Sequence, residues 1–234
     1  MRILLTIADL AMASGGPTQS ATRTAQELRA LGADSAIACG VRAGVSAAAD
    51  GVELLPIASS AGSVSRALQA PRYRRQLLQR ARQWAPDVIY DFGLWLPQNA
   101  ASAAAARRLG RPWICSPRGM LEPWSLGSGA LRKKIAWRLY QRRLLEGAAA
   151  LVATSEEERR HLQQLLPRAP VWLVPNGVDL PPPGSAPRRR QAVFLSRLHP
   201  KKQPELLIRL WARLRPAGWR LVLAGPADDD YRAS

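Results

Sequence analysis

Residues 193–214 read VFLSRLHPKKQPELLIRLWARL. Val193, Phe194, Leu195 and Ser196 have strand character, after which residues 197–203 break into a polar, basic turn. Pro204 suits a first helical turn, where its missing N–H would be unpaired anyway, and Leu206, Leu207, Leu210, Trp211 and Leu214 recur on one helical face. Strand, basic loop and helix start therefore follow one another. A helix N-terminus presents unpaired N–H groups and the positive end of its dipole, and Arg197, Lys201 and Lys202 add full charges there. A phosphate or diphosphate is the ligand such a loop would take. Basic residues in a turn are also commonly just solvated, so the stretch by itself leaves both readings open.

Immediately upstream, residues 175–190 (PNGVDLPPPGSAPRRR) concentrate Pro, Gly and Arg without apolar periodicity, which reads as a linker and places a domain boundary there. Residues 1–174 form the first domain. Apolar runs at 2–8, 35–39, 52–57, 88–92, 113–116, 150–154 and 171–174 read as strands. Between them come a helix ending at Leu31 with Gly32 as its cap, a very basic helix over 63–84, an alanine-rich helix over 99–109 and a helix over 130–146. Ser155 with Glu158 fits a capping box opening one more helix. Residues 117–129, rich in Pro, Gly and Trp, are expected as a loop. Strands alternating with helices predict an α/β fold, a Rossmann-like parallel sheet covered on both faces, with ligands at the strands' carboxyl ends. Gly15 and Gly16, residues 91–95 and residues 116–124 all follow such ends.

The pattern restarts in residues 191–234, but two strands and one helix leave open sheet edges and little core. The expectation is a second Rossmann-like domain that is incomplete, either truncated or completed by a second chain.

Of 234 residues, 47% are hydrophobic and 22% charged, enough for a sizeable core and unlike a disordered tail. Lys and Arg number 34 against 17 acids, and the resulting +17 attracts polyanions: nucleic acid, anionic membrane or phosphorylated substrates. The arginines are spread along the chain rather than gathered into a nucleic-acid motif. In 130–146 the bases surround most of the helix while Leu131, Ile135 and Leu139 make a narrow stripe, a face for anionic lipid or simply for water. Cys39 and Cys115 sit in strand-like runs as buried free thiols, which points to a reducing compartment. Asp9 interrupts the first apolar run too early for a secretory leader, and no stretch has the length of a membrane span.

SPRGMLEPW at 116–124, ATSEEE at 153–158, PNGVDLP at 175–181 and FLSRLHPKK at 194–202, with Gly-Gly-Pro after the first strand, resemble glycosyltransferase family 4 in their order. The resemblance implies the GT-B architecture, two Rossmann-like domains with a nucleotide-sugar donor held mainly by the second. Arg197 and Lys202 then match the family's diphosphate-binding positions, assisted by Lys201 and by backbone N–H groups at Gly15 and Gly16. It also implies a metal-independent, retaining hexosyl transfer, with no cofactor and a glycan or lipid-linked acceptor in lipopolysaccharide or exopolysaccharide synthesis. The protein would be cytoplasmic, peripheral at the inner membrane face.

His161 and His199 with no clustered ligand set agree with the absence of a metal, and residues 228–230 (Asp-Asp-Asp) read as a polar turn. Where the family carries histidine, Tyr90 and Phe92 stand here, leaving Asp91 as the nearest ionisable candidate for catalysis. Arg118 and Glu122 are acceptor-side candidates, Asn176 and Gly177 read as a hinge turn, and Gln203 replaces a glycine usual after the lysine. The family's glutamate-containing donor motif lies beyond the last residue. Two other readings accompany this one: a catalytically incompetent remnant serving as a partner subunit, and a basic nucleic-acid-binding protein.

Overall fold

The computed structural model describes residues 1–10, 16–41, 51–59, 63–127, 129–178, 180 and 189–226, with backbone alone for 63–68 and 201. The chain divides into two compact units, Met1–Gly177 and Val178–Ser234.

Unit 1 is built on seven strands: β1 (Arg2–Ile7), β2 (Asp34–Val41), β3 (Glu53–Ala58), β4 (Val88–Phe92), β5 (Trp113–Ser116), β6 (Ala150–Ala153) and β7 (Val171–Leu173). All pairings are parallel, in the order β3-β2-β1-β4-β5-β6-β7. Burial on both faces explains why β1 and β6 read as continuous apolar runs rather than as alternation. The strand order reverses between β1 and β4, so the loops leaving their carboxyl ends diverge and open a crevice there.

Helix α1 (Gly16–Ala30) covers one face through Ala21 and Ala25, which meet Ile3, Leu5, Ile7, Ile37 and Phe92. On the other face α2 (Ser63–Trp84) and α3 (Pro97–Leu109) supply Leu77, Ala81, Trp84, Ala101 and Ala105 against Leu4, Ile57 and Ile89. Small alanines on α3 let the helix approach the sheet closely, and Gly110 ends it in the left-handed conformation at φ 63°. Cys39 and Cys115 are buried free thiols.

Two local expectations are corrected. The 117–129 loop contains a short helix, α4 (Pro123–Gly127), and the helix over 130–146 is not a plain α-helix. It runs as α5 (Ala130–Ala136), a π turn (Trp137–Gln141) and α6 (Arg142–Glu146). Helix α7 (Glu156–Leu165) follows β6.

Unit 2 contains β8 (Gln191–Leu195) and β9 (Arg220–Ala224), paired in parallel and joined by α8 (Pro204–Leu214). Two strands and one helix leave Leu195, Leu206 and Leu214 exposed.

Candidate functional site

The carboxyl end of the unit 1 sheet is fastened from inside by Asp91. It lies 1% exposed on β4, accepts a hydrogen bond on Oδ1 from the Thr6 hydroxyl of β1 (2.6 Å) and one on Oδ2 from Asn99 Nδ2 of α3 (3.0 Å). Asn99 also donates to the Gly93 carbonyl (3.0 Å) and accepts from the Leu96 N–H (3.1 Å), so one side chain shapes the whole 93–96 loop. Gly93 adopts φ 90°, where any Cβ would approach Met120 Cε to 3.2 Å. The Leu94 N–H meets Met120 Sδ (3.0 Å), and Trp95 Nε1 donates to the Met120 carbonyl (3.1 Å). The loops after β4 and β5 thus lean on each other.

Asp91, the expected catalytic candidate, is therefore placed as an anchor: both oxygens are occupied and the group is closed to solvent. Burial raises its pKa from 3.8 to about 6, against the opposing pull of the Thr6 and Asn99 hydrogen bonds. A carboxyl harder to ionise in the folded chain than in the unfolded one contributes its stability below the unfolded value, and that contribution is lost as pH rises through about 6. In urea titrations the native chain should accordingly lose on the order of 3 kcal/mol between about pH 4 and pH 7 from this group. Asp91→Asn should flatten that part of the profile. Parallel profiles for the two proteins would contradict the assignment.

The loop after β5 is held by Glu158 of α7. The sequence pairs Glu158 with Ser155 as a capping box, and half of that box is present: Ser155 Oγ accepts from the Glu158 N–H (3.1 Å). The carboxylate does not return to the Ser155 backbone. Only 4% exposed, it accepts from the Gly119 N–H (2.6 Å), the Thr154 N–H (2.8 Å) and the Thr154 hydroxyl (2.9 Å). A buried carboxylate with three donors is well compensated, and it pins Gly119 beside Arg118.

Arg118 takes φ 56°, a left-handed conformation that costs a non-glycine residue about 1–2 kcal/mol. Its guanidinium lies 4.8 Å from the Phe92 ring centroid, and Nη1 donates to Ser20 Oγ (3.0 Å) and to Asn176 Oδ1. Ser20 Oγ bonds the same Asn176 oxygen (3.1 Å). Arg118 Nε is buried and has no partner among the described residues. Tyr90 completes the group, its ring 4.6 Å from that of Phe92; burial raises its phenol pKa while Arg118 and Ser116 pull it down. A cation, a phenol and a hydroxyl thus meet at the carboxyl end of the sheet on its α1 side. Trp95, the other bulky residue in left-handed conformation here, sits at φ 70°.

Glu122 is not part of that group. Its Oε2 lies 2.6 Å from His161 Nδ1 of α7, which packs on the opposite face of the sheet from α1. Glu157 joins them, one candidate ligand atom from each residue lying within 4.8 Å of the others. The fold therefore assembles a His-Glu-Glu cluster that sequence spacing did not reveal, and the close Glu122–His161 pair accounts for its geometry.

In unit 2, Arg197 and Lys202 are exposed on the loop between β8 and α8. The loop closes through a 3-10 turn, Pro200–Lys202, and Gln203 takes φ 53° before Pro204 opens the helix. A glycine would take that conformation without steric cost, which gives the substitution noted in the sequence a physical meaning. Gly225 lies where a Cβ would come within 1.9 Å of the Ser196 carbonyl oxygen, and Leu198 N–H donates to the Pro226 carbonyl (2.8 Å). The carboxyl ends of both strands are drawn together beneath the basic loop. Gly16 begins α1, while Gly15, the Lys201 side chain and residues 228–230 lie outside the described residues.

Residues 15–177 match the family described as Glycosyl transferase 4-like domain. The chain belongs to this family. Among curated proteins, this glycosyl transferase 4-like chain is 37% identical over 109 residues to the D-inositol 3-phosphate glycosyltransferase of Kineococcus radiotolerans, covering 37% of this chain and 25% of that protein. Among solved structures it is similar to HepE of Anabaena in complex with UDP and glucose, at 18% identity and TM-score 0.72, over 100% of this chain and 64% of that one. It is also similar to sucrose-phosphate synthase of Thermosynechococcus elongatus, at 15% identity and TM-score 0.76, over 98% of this chain and 63% of that one. The fold is thus the Rossmann-like GT-B type expected, and the chain spans less than two thirds of the length of each relative. Among the described residues no helix is long and apolar enough to cross a membrane.

Sequence reasoning missed Thr6, Asn99, Met120 and the second role of Glu158, and it took Asn176 for a hinge turn. Ser20 and Asn176 are 156 positions apart, and no local spacing links them. Their common signal was placement: Thr6 lies near a strand end, Ser20, Asn99 and Glu158 in the opening turns of helices that follow strands, and Met120 and Asn176 in the segments after β5 and β7.

Proposed function

We propose that the protein transfers a hexose from a nucleotide-sugar donor to a glycan or lipid-linked acceptor of cell-surface polysaccharide, at the cytoplasmic face of the membrane. The observation that carries this reading is membership of the glycosyl transferase 4-like family together with the strand, basic loop and helix of unit 2. HepE, similar in fold, has been crystallised with UDP-glucose. A lipopolysaccharide outer core galactosyltransferase, WaaB, shares the fold at 14% identity and TM-score 0.64.

In this reading the bond between the sugar's anomeric carbon and the diphosphate oxygen breaks, its electron pair leaving with the nucleoside diphosphate, while an acceptor hydroxyl oxygen bonds to that carbon and gives its proton to the departing diphosphate. Charge grows on that leaving group, so fixed cations favour the transition state over the bound donor. Arg197 and Lys202 supply them, with Lys201 next to Lys202 in the sequence; the backbone N–H groups at Gly15 and Gly16 are proposed as further diphosphate donors in their own right. No metal is required for this charge balance, and the configuration at the transferred carbon is retained. Asp91 acts as a positioning residue beneath the 93–96 loop rather than as a catalytic one.

Arg118 is the acceptor-side contact, its guanidinium held by Ser20, Asn176 and the Phe92 ring and offering its charge to an anionic or hydroxyl-rich group. Arg118→Ala should raise the acceptor KM roughly 10- to 100-fold, the size expected for a hydrogen bond to a charged group, while leaving the donor KM in place. Arg118→Lys should recover part of it. An unchanged acceptor KM would remove Arg118 from the site. The reading as a whole is tested by incubating the full chain with UDP-, GDP- and ADP-sugars and membrane glycolipid extract. Nucleoside diphosphate release that depends on the extract supports it, and no release by a folded chain with any donor contradicts it.

A further inference from the structure

Glu122, Glu157 and His161 meet where α7 faces the segment that follows β5. Glu157 and His161 stand four positions apart, so one face of α7 presents both, and Glu122 comes from the other segment with Oε2 2.6 Å from His161 Nδ1. One ligand atom of each residue lies within 4.8 Å of the other two.

Charge sets this group apart from an ordinary surface pair. The chain carries 34 bases against 17 acids, yet among the described residues neither Glu122 nor Glu157 pairs with a lysine or an arginine. Arg159, two positions from Glu157, is taken by Glu156 at 2.7 Å. Two carboxylates are left to share one imidazole. With that imidazole neutral, as a metal ligand must be, the group carries two negative charges, which one divalent cation balances.

The donor atoms say which cation. Imidazole suits zinc and its transition-metal neighbours, whereas magnesium and calcium take oxygen alone. Three protein ligands with a fourth position left to water make a tetrahedral zinc arrangement, whose ligand atoms, at bonds of about 2.0–2.2 Å, stand about 3.3 Å apart. The 2.6 Å contact and the 4.8 Å limit bracket that spacing, and both acids are long and flexible enough to reach it. The side chains of His161 and Glu122 are 30% and 24% exposed and Glu157 is exposed, so an ion and its water have access.

We propose that Glu122, Glu157 and His161 bind one divalent transition-metal ion of the zinc type. The ion is a brace rather than a participant in glycosyl transfer, and the proposal does not depend on that reaction. Glu158, next to Glu157 on α7, already holds the Gly119 N–H at 2.6 Å. An ion on Glu122 ties the same segment to the same helix a second time, and so stiffens the loop on which Arg118 stands.

The chain contains two histidines, His161 and His199, which makes the test direct. Imidazole resonances of the full chain, labelled in histidine, are followed as zinc chloride is added. The expected result is that the His161 signals move and saturate at one ion per chain while those of His199, assigned with His199→Ala, stay in place. Glu122→Gln and Glu157→Gln should each weaken zinc binding by at least the roughly 10- to 100-fold that loss of an outer-shell partner costs, since each removes a direct ligand. Zinc should also raise the melting temperature of the native chain more than that of either variant. Glu122→Gln keeps an acceptor toward His161 and Glu157→Gln alters an exposed side chain, so metal-free melting should match the native protein's. Glu157→Gln alone carries the test should Glu122→Gln fold poorly. His161 signals unmoved by a large excess of zinc would overturn the proposal. So would equal affinity in the variants, which would mean a lone imidazole taking adventitious zinc, or an equal response to magnesium, which would mark a plain acidic patch.

Discussion

Glu158→Ala is expected to destabilise unit 1 by about 3–5 kcal/mol, the largest effect of any single side chain around the site. The carboxylate is nearly fully buried and accepts from the Gly119 N–H and from both the N–H and the hydroxyl of Thr154. Removing it leaves three donors without an acceptor, each costing about 1–3 kcal/mol less whatever water recovers. Glu158→Gln keeps the shape and should cost about half as much, because the amide contributes one good acceptor oxygen and turns donors toward donors. Glu157→Ala, one residue away and exposed, should stay within about 0.5 kcal/mol. Urea denaturation of the three variants checks this, and an alanine variant within about 1 kcal/mol of the native protein would mean that Glu158 does not hold the loop. Because Gly119 adjoins Arg118, the same variant should also raise the acceptor KM under conditions where it remains folded.

The second large effect belongs to unit 2. Replacing Arg197 and Lys202 together by alanine should lower kcat/KM for donor turnover by roughly 10³- to 10⁵-fold, combining two charge contacts of the size measured for single transition-state donors. Most of the loss should appear in kcat, since the leaving diphosphate carries more charge in the transition state than in the bound donor. Both side chains are exposed on a loop, so the fold should survive, and unchanged melting would show that it does. Turnover within tenfold of the native protein would remove these two residues from the chemistry.

Much of this architecture was legible because a doubly covered parallel sheet writes itself as short apolar runs separated by helices. Val88–Phe92 and Trp113–Ser116 match the sequence reading at both ends, and Gly32 stands just past α1 at φ 83°, the left-handed conformation its reading as a cap requires. Ser155 was legible as a helix cap for the same reason, that its hydrogen bond spans three residues. What escaped was set by the fold at longer range. Glu158 reaches Gly119 across 39 positions, and Asp91 reaches Thr6 across 85; an acid in the chain does not announce its partner. Asp91 shows the resulting error most clearly. A carboxylate at a strand end is compatible with catalysis or with anchoring, and only the occupancy of both its oxygens separates the two. The π turn of residues 137–141 escaped for another reason: it differs from an α-helical turn by a single extra residue, and the apolar spacing of 131–139 reads the same with or without it.

The most direct test of the account is isothermal titration of the 234-residue chain with UDP, GDP and ADP, beside the Arg197→Ala, Lys202→Ala variant. The account predicts saturable binding of one of these nucleotides by the native chain and its loss in the variant, naming both the donor's base and the site that holds its diphosphate. Binding of equal strength by both proteins, or none by a native chain shown to be folded, would contradict it.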